Sequence, residues 1–184
     1  FHHMLQLQHQ PAVRSNTVAA AATREAALTA LEQAVKLNPR DAESHALLGT
    51  LYGMKIDGNL IRGVRFGPRV VKHRKQALVS GAKNPRAQYL LGACQFHTAR
   101  KLAEQREALA TLLKAEGLFE AESRTPAGPL EPRWGYDTCL TFIGRTYEKL
   151  GEPAKAADYY HKALARHPVD HLAKEGLARV TERR

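Results

Sequence analysis

The residues able to do chemistry fall into three groups. Cys94 and His97 stand three apart, a spacing that puts two side chains on one helical face and could pair a thiol nucleophile with a base. Such a pair also needs a group to orient the histidine and donors for an oxyanion, and the sequence marks neither. The preferred reading of Cys94 is therefore a small core thiol. His161, His167 and His171 straddle Pro168 and share no regular helical face, so their spacing does not make a metal site. Cys139 is the second of two cysteines, and neither a CxxC nor a zinc-ligand spacing occurs. Glycine-rich phosphate loops, nucleophile elbows and zinc-protease motifs are absent as well. No metal, no cofactor and no enzymatic reaction are expected.

The third group is basic. The formal net charge is +10, and between Asp57 and Glu104 there is no acidic residue. The ten lysines and arginines of that window equal the whole excess of basic over acidic residues, so the field has one source. Arg62, Arg65, Arg69, Lys72, Arg74 and Lys75 are its steering segment. Such a cluster attracts nucleic acid, anionic lipid or an acidic protein through phosphate or carboxylate charge. A charged run on a helix is usually a solvated face, and here no stacking aromatics or nucleic-acid motif accompany it. The acidic protein is the preferred partner and nucleic acid is disfavoured.

The elements that must position these residues are helices. From Val18 to Leu37, Ala27, Leu28, Leu31, Ala34 and Val35 share a face, and Asn38-Pro39 ends the run. Asp41 can cap the next helix, which carries Leu48-Gly49 and Leu51-Tyr52. Four glycines, Gly53, Gly58, Gly63 and Gly67, make a continuous helix costly at roughly 1 kcal/mol each, so an extended loop is expected over 53–67, with Pro68 opening the next helix. Asn84-Pro85 begins a helix with Leu91-Gly92 at a close-contact position; its partner runs from about Leu102 to Glu122. Pro126, Pro129 and Pro132 make 123–133 a stiff connector. Helix resumes near Trp134 or Gly135, and His171 to Arg183 reads as a polar terminal cap. Phe1-His2-His3-Met4 reads as the end of a purification tag, and 1–16 as tag remnant and N-terminal tail. No run approaches the roughly 18 apolar residues of a membrane span.

The strongest pattern lies between Asp137 and Asp170. Leu140-x2-Ile143-Gly144-x2-Tyr147 forms one helical face, Gly151 and Pro153 interrupt, Ala156-x3-Tyr160 forms a second, and Pro168 closes the unit. This resembles the tetratricopeptide repeat, whose W-x2-L-G-x2-Y, A-x3-F and closing P recur over about 34 residues. Ala46 to Ile56, Asn84 to Gly92 and Pro129 to Gly135 are similar to a group of bacterial, often secreted, tetratricopeptide proteins of unassigned function, over roughly residues 24–178. The resemblance implies an all-α array of helical hairpins, a right-handed superhelix of about three and a half repeats and roughly seven or eight helices, as a single domain over 17–184. It implies a periplasmic or secreted location, with a cytoplasmic one as the alternative.

In such an array the first helices of successive repeats line a concave groove where partners lie. Helical phase from Gly92 and Gly144 puts Arg86, Tyr89, Ala93, Phe96 and His97 on it, then Thr138, Thr141, Arg145 and Glu148, with Glu175 and Arg179 from the cap. The competing reading of Tyr89 and Phe96 is core packing against the neighbouring repeat. The Lys and Asn carboxylate clamp of chaperone-binding members is absent, since Ala46, Thr50, Tyr89, Ala93, Thr141 and Arg145 fill the matching positions. The function expected is a non-enzymatic scaffold that binds a protein or peptide, acidic in character, through Arg and aromatic anchors. The alternative is an anion-binding module acting through 62–75.

Overall fold

The computed structural model describes residues 17–128 and 131–182. The tag and tail expected over 1–16, Pro129 and Leu130 of the connector, and the last two residues lie outside them. Among the described residues there are eight helices and no strand: α1 Thr17–Leu37, α2 Ala42–Ile56, α3 Leu60–Ser80, α4 Pro85–Thr98, α5 Leu102–Ser123, α6 Tyr136–Lys149, α7 Pro153–Arg166 and α8 His171–Glu182. Neighbouring helices pack pairwise, α2 on α3, α6 on α7 and α7 on α8, which is the tetratricopeptide-type hairpin arrangement. The chain divides into two compact units, Phe1–Leu90 and Leu91–Arg184, with the division inside α4. None of the described helices is long and apolar enough to cross a membrane.

In the first unit α2 starts where its sequence provides a cap, with the Asp41 carboxylate accepting from the Glu43 backbone N–H at 3.2 Å. Leu28 and Leu31 of α1 are buried, as are Leu47, Leu48 and Leu51 of α2. The extended loop expected over 53–67 is not there. Gly53 lies inside α2, and Gly63, Gly67 and Pro68 lie inside α3. Only Asp57, Gly58 and Asn59 link the two helices. Asp57 and Gly58 take left-handed backbone, φ 42° and 70°, which reverses the chain at once. The Asn59 side chain then accepts from the Arg62 N–H at 3.0 Å and starts α3 eight residues ahead of the expected opening at Pro68. Packing of the Phe66, Val70, His73 and Ala77 face of α3 inward offsets the propensity cost of its glycines.

In the second unit the sequence reading of the α6–α7 turn holds. Gly151 takes left-handed backbone at φ 76° and Pro153 occupies the first turn of α7. Tyr160 is fully buried at the centre of the α6–α7–α8 core with Leu140, Ala156, Ala163, Ala173 and Val180. Two glycines let the helices close on its ring. A Cβ at Gly144 would lie 2.9 Å from ring carbons of Tyr160, and one at Gly176 only 2.2 Å from its Cζ. Gly144 belongs to the repeat pattern read from the sequence, and Gly176 lies outside it. Asp170 caps α8 by accepting from the Leu172 and Ala173 N–H groups at 2.9 and 3.1 Å.

Candidate functional site

Phe142, Arg145 and Lys149 recur at the three- and four-residue steps that make one stripe along α6. Phe96, from the last turns of α4, stands edge-on to Phe142 with centroids 5.4 Å apart, and both rings are buried. The Arg145 guanidinium lies over this pair, 4.8 Å from the Phe96 centroid and 5.1 Å from that of Phe142. Lys149 brings its Nζ to 4.0 Å from the Phe96 centroid and donates to the Phe96 carbonyl at 3.5 Å. The exposed His97 packs its ring edge-on against both phenylalanines, at 5.2 and 5.5 Å.

The electrostatics of this face are unbalanced. Burial holds Arg145 below its ordinary pKa, and burial together with the neighbouring Arg145 charge holds Lys149 below its own. Among the described residues Arg145 donates no hydrogen bond and closes no ion pair. The nearest carboxylate on its own helix is already engaged. Glu148 accepts from Arg179 through Nε at 2.9 Å and Nη2 at 3.1 Å, and from the Tyr160 hydroxyl at 2.8 Å. Burial, and then the bond to Glu148, push the Tyr160 phenol up, while Glu148 raises Arg179. The planar donors of Arg145 thus sit half-buried on an aromatic platform beside a second cation.

Of the groove residues named from the sequence, the structure brings Phe96, His97, Arg145, Glu148 and Arg179 together in the second unit. Thr141 belongs to the same unit but is interior, donating to Asp170 at 2.6 Å. Arg86 and Tyr89 fall in the first unit, and both are buried. The Arg86 Nε donates to Glu43 at 2.7 Å, and Asn84 donates to the same carboxylate oxygen at 2.9 Å. Their side chains offer no surface to a guest. Phe142 and Lys149 were not singled out in the sequence, although their spacing from Arg145 would have found them.

Of the basic segment, Arg62, Arg65, Arg69, Lys72 and Lys75 are exposed on α3, and Arg74 is half-buried. Arg69 donates to the Tyr52 hydroxyl at 3.1 Å. Cys94 is partly buried on α4. Cys139 is buried, its Sγ 3.6 Å from the Leu112 carbonyl, and burial pushes its thiol well up, away from the thiolate.

Two solved structures of MamA share the fold. One is 20% identical with a TM-score of 0.56 and covers 94% of this chain and 84% of its own. The other is also 20% identical with a TM-score of 0.56 and covers 91% of this chain and 76% of its own. At that identity the likeness speaks for the helical-repeat architecture alone. No curated protein matches the chain. The family model described as regulator of microtubule dynamics protein 1-3 matches residues 8–182, nearly the full length, and the chain accordingly belongs to that family.

Proposed function

We propose that the protein is a non-enzymatic binding scaffold whose second unit anchors an acidic segment of a partner protein on Arg145. One observation carries the reading: a half-buried guanidinium stacked on Phe96 and Phe142 whose hydrogen-bond donors meet no acceptor among the described residues. A desolvated cation whose donors meet no acceptor is costly even with the Glu148 and Asp170 charges nearby, and a carboxylate from a guest would satisfy it with two parallel N–H···O bonds. Lys149 supplies a second positive contact, and the exposed edge of His97 supplies an apolar border. Arg with aromatic neighbours is also the composition of binding hot spots. Arg179 and Glu148 hold the rim in place by pairing with each other.

The family's description concerns regulation of microtubule dynamics, so polymerised tubulin is the first macromolecule to offer. The decisive experiment is a titration of a labelled glutamate-rich peptide followed by anisotropy, with a glutamine-rich peptide as control. Arg145→Leu should weaken binding of the acidic peptide by about tenfold or more while leaving the melting curve in place. Equal affinity of the wild type and Arg145→Leu, or equal affinity for the two peptides, sinks the reading.

A further inference from the structure

Helix α3 carries apolar residues on its outside as well as on its inward face. Among the described residues, six of the ten large hydrophobic side chains left exposed belong to this one helix, so the exposure is concentrated and not scattered. Leu60, Ile61, Val64, Val71 and Val79 are each between 67% and 84% exposed, and Leu78 is 47% exposed. Ile61, Val64, Val71 and Leu78 share one stripe, with the exposed Pro68 between them. One residue further along the chain at every step, Arg62, Arg65, Arg69 and Lys72 form a parallel stripe. Lys75 stands within the apolar arc. The inward face of the same helix, with His73 and Ala77, is buried in the first unit. Among the described residues the outer face is left bare.

We propose that the outer face of α3 is a docking surface for an anionic lipid membrane, lying flat in the headgroup layer with its apolar stripe inserted. Three features select that occupant. The apolar side chains stand clear as a ridge: all but Leu78 have two thirds or more of their surface bare among the described residues, whereas a partner helix seats in a groove between walls. A bilayer interface accepts a ridge. The basic stripe runs alongside the apolar one, and α3 carries no acidic residue, which matches anionic headgroups beside an acyl layer. A second copy of the chain is disfavoured, because pairing α3 on α3 would set the two basic stripes near each other without a countercharge.

The test is flotation of the full chain with phosphatidylcholine vesicles, with and without phosphatidylserine, at low and high salt. The wild type should float with the phosphatidylserine vesicles at low salt and be released by high salt. The double variant Val64→Glu with Val71→Glu, and separately Arg65→Gln with Lys72→Gln, should each lower the bound fraction about tenfold, with unchanged helicity and melting temperature because all four side chains are exposed. Three results overturn the proposal: no flotation, equal flotation with neutral vesicles, or flotation that survives both double variants. Two more also overturn it by naming another occupant. One is binding of a soluble acidic helical peptide by this face without flotation. The other is a concentration-dependent dimer that Val64→Glu abolishes.

Discussion

The α2–α3 hairpin of the first unit and the α6–α7 hairpin of the second are built on one plan and packed in opposite senses. In the second, the seam is apolar and tight: Gly144 and Gly176 admit the Tyr160 ring, and the charged groups lie at the rim. In the first, polar side chains enter the seam beside the apolar ones. Gly49 faces the Arg74 stem instead of an aromatic ring, with a Cβ there 3.1 Å from Arg74 Cγ. Beside it, His45 and His73 meet Nδ1 to Nδ1 at 2.8 Å. The Pro39 carbonyl can only accept, at 3.1 Å, so neutral His45 carries its proton on Nε2 and His73 donates across the pair. Tyr52 stacks on His73 at 5.8 Å and donates to Glu32. Polar residues spent inside are matched by apolar residues left outside on α3. One hairpin motif can therefore serve as a rigid core or as a carrier for an outer face, according to which side of its second helix is apolar.

The sharpest way to break the contrast is to empty the apolar seam. Tyr160→Ala should cost about 3 to 5 kcal/mol and unfold the second unit first, seen as early loss of hydrogen-exchange protection in α6 to α8. Uniform loss over both units would show that the seam is not local to one.

Acid should probe the polar seam. Burial, with His45, Lys72 and Arg69 nearby, holds His73 down at about 4 against an ordinary 6.5, and only Glu32 works the other way. The folded form thus refuses a proton that the unfolded chain takes up. The contribution of neutral His73 to the stability of the first unit is fully present above pH 6.5 and should be lost as pH drops toward 4, an effect on the order of 1 to 3 kcal/mol once solvent screening is allowed for. Chemical denaturation at intervals across that window should show the slope in the wild type and flatten it in His73→Leu. A slope unchanged by that substitution would remove His73 from the account.

Smaller effects sharpen the comparison. Tyr160→Phe keeps the ring and removes only its hydroxyl from Glu148, for an expected loss of about 1 to 2 kcal/mol in a denaturant melt. A larger loss would mean that the polar rim, and not the ring, holds the second unit. Gly53→Ala should stabilise the first unit by about 0.5 to 1 kcal/mol, since Gly53 is helical and a Cβ there meets nothing within 4 Å. If melting falls instead, that turn of α2 carries a strain the backbone does not reveal.

Much of this was legible in the chain because local chemistry fixes it. Asp41 had to cap α2, Gly151 with Pro153 had to turn α6 into α7, and the small Gly144 had to sit against Tyr160. The α3 region was misread because glycine propensity is a weak, local cost that a packed face can override. Arg86 and Arg145 show the same limit at the site. Both lie on first helices of hairpins at groove phase, yet Arg86 is buried against Glu43, while the donors of Arg145 meet no acceptor among the described residues.

The sequence by itself determined the helices, most of their ends and the hairpin spacing, because caps, turn residues and apolar periodicity act between residues a few positions apart. Only the tertiary structure decided which cation is neutralised, which aromatic rings form a platform and which apolar stripe of α3 is left bare. Those outcomes depend on side chains far apart in sequence competing for the same partners, and helical phase alone carries no record of that competition.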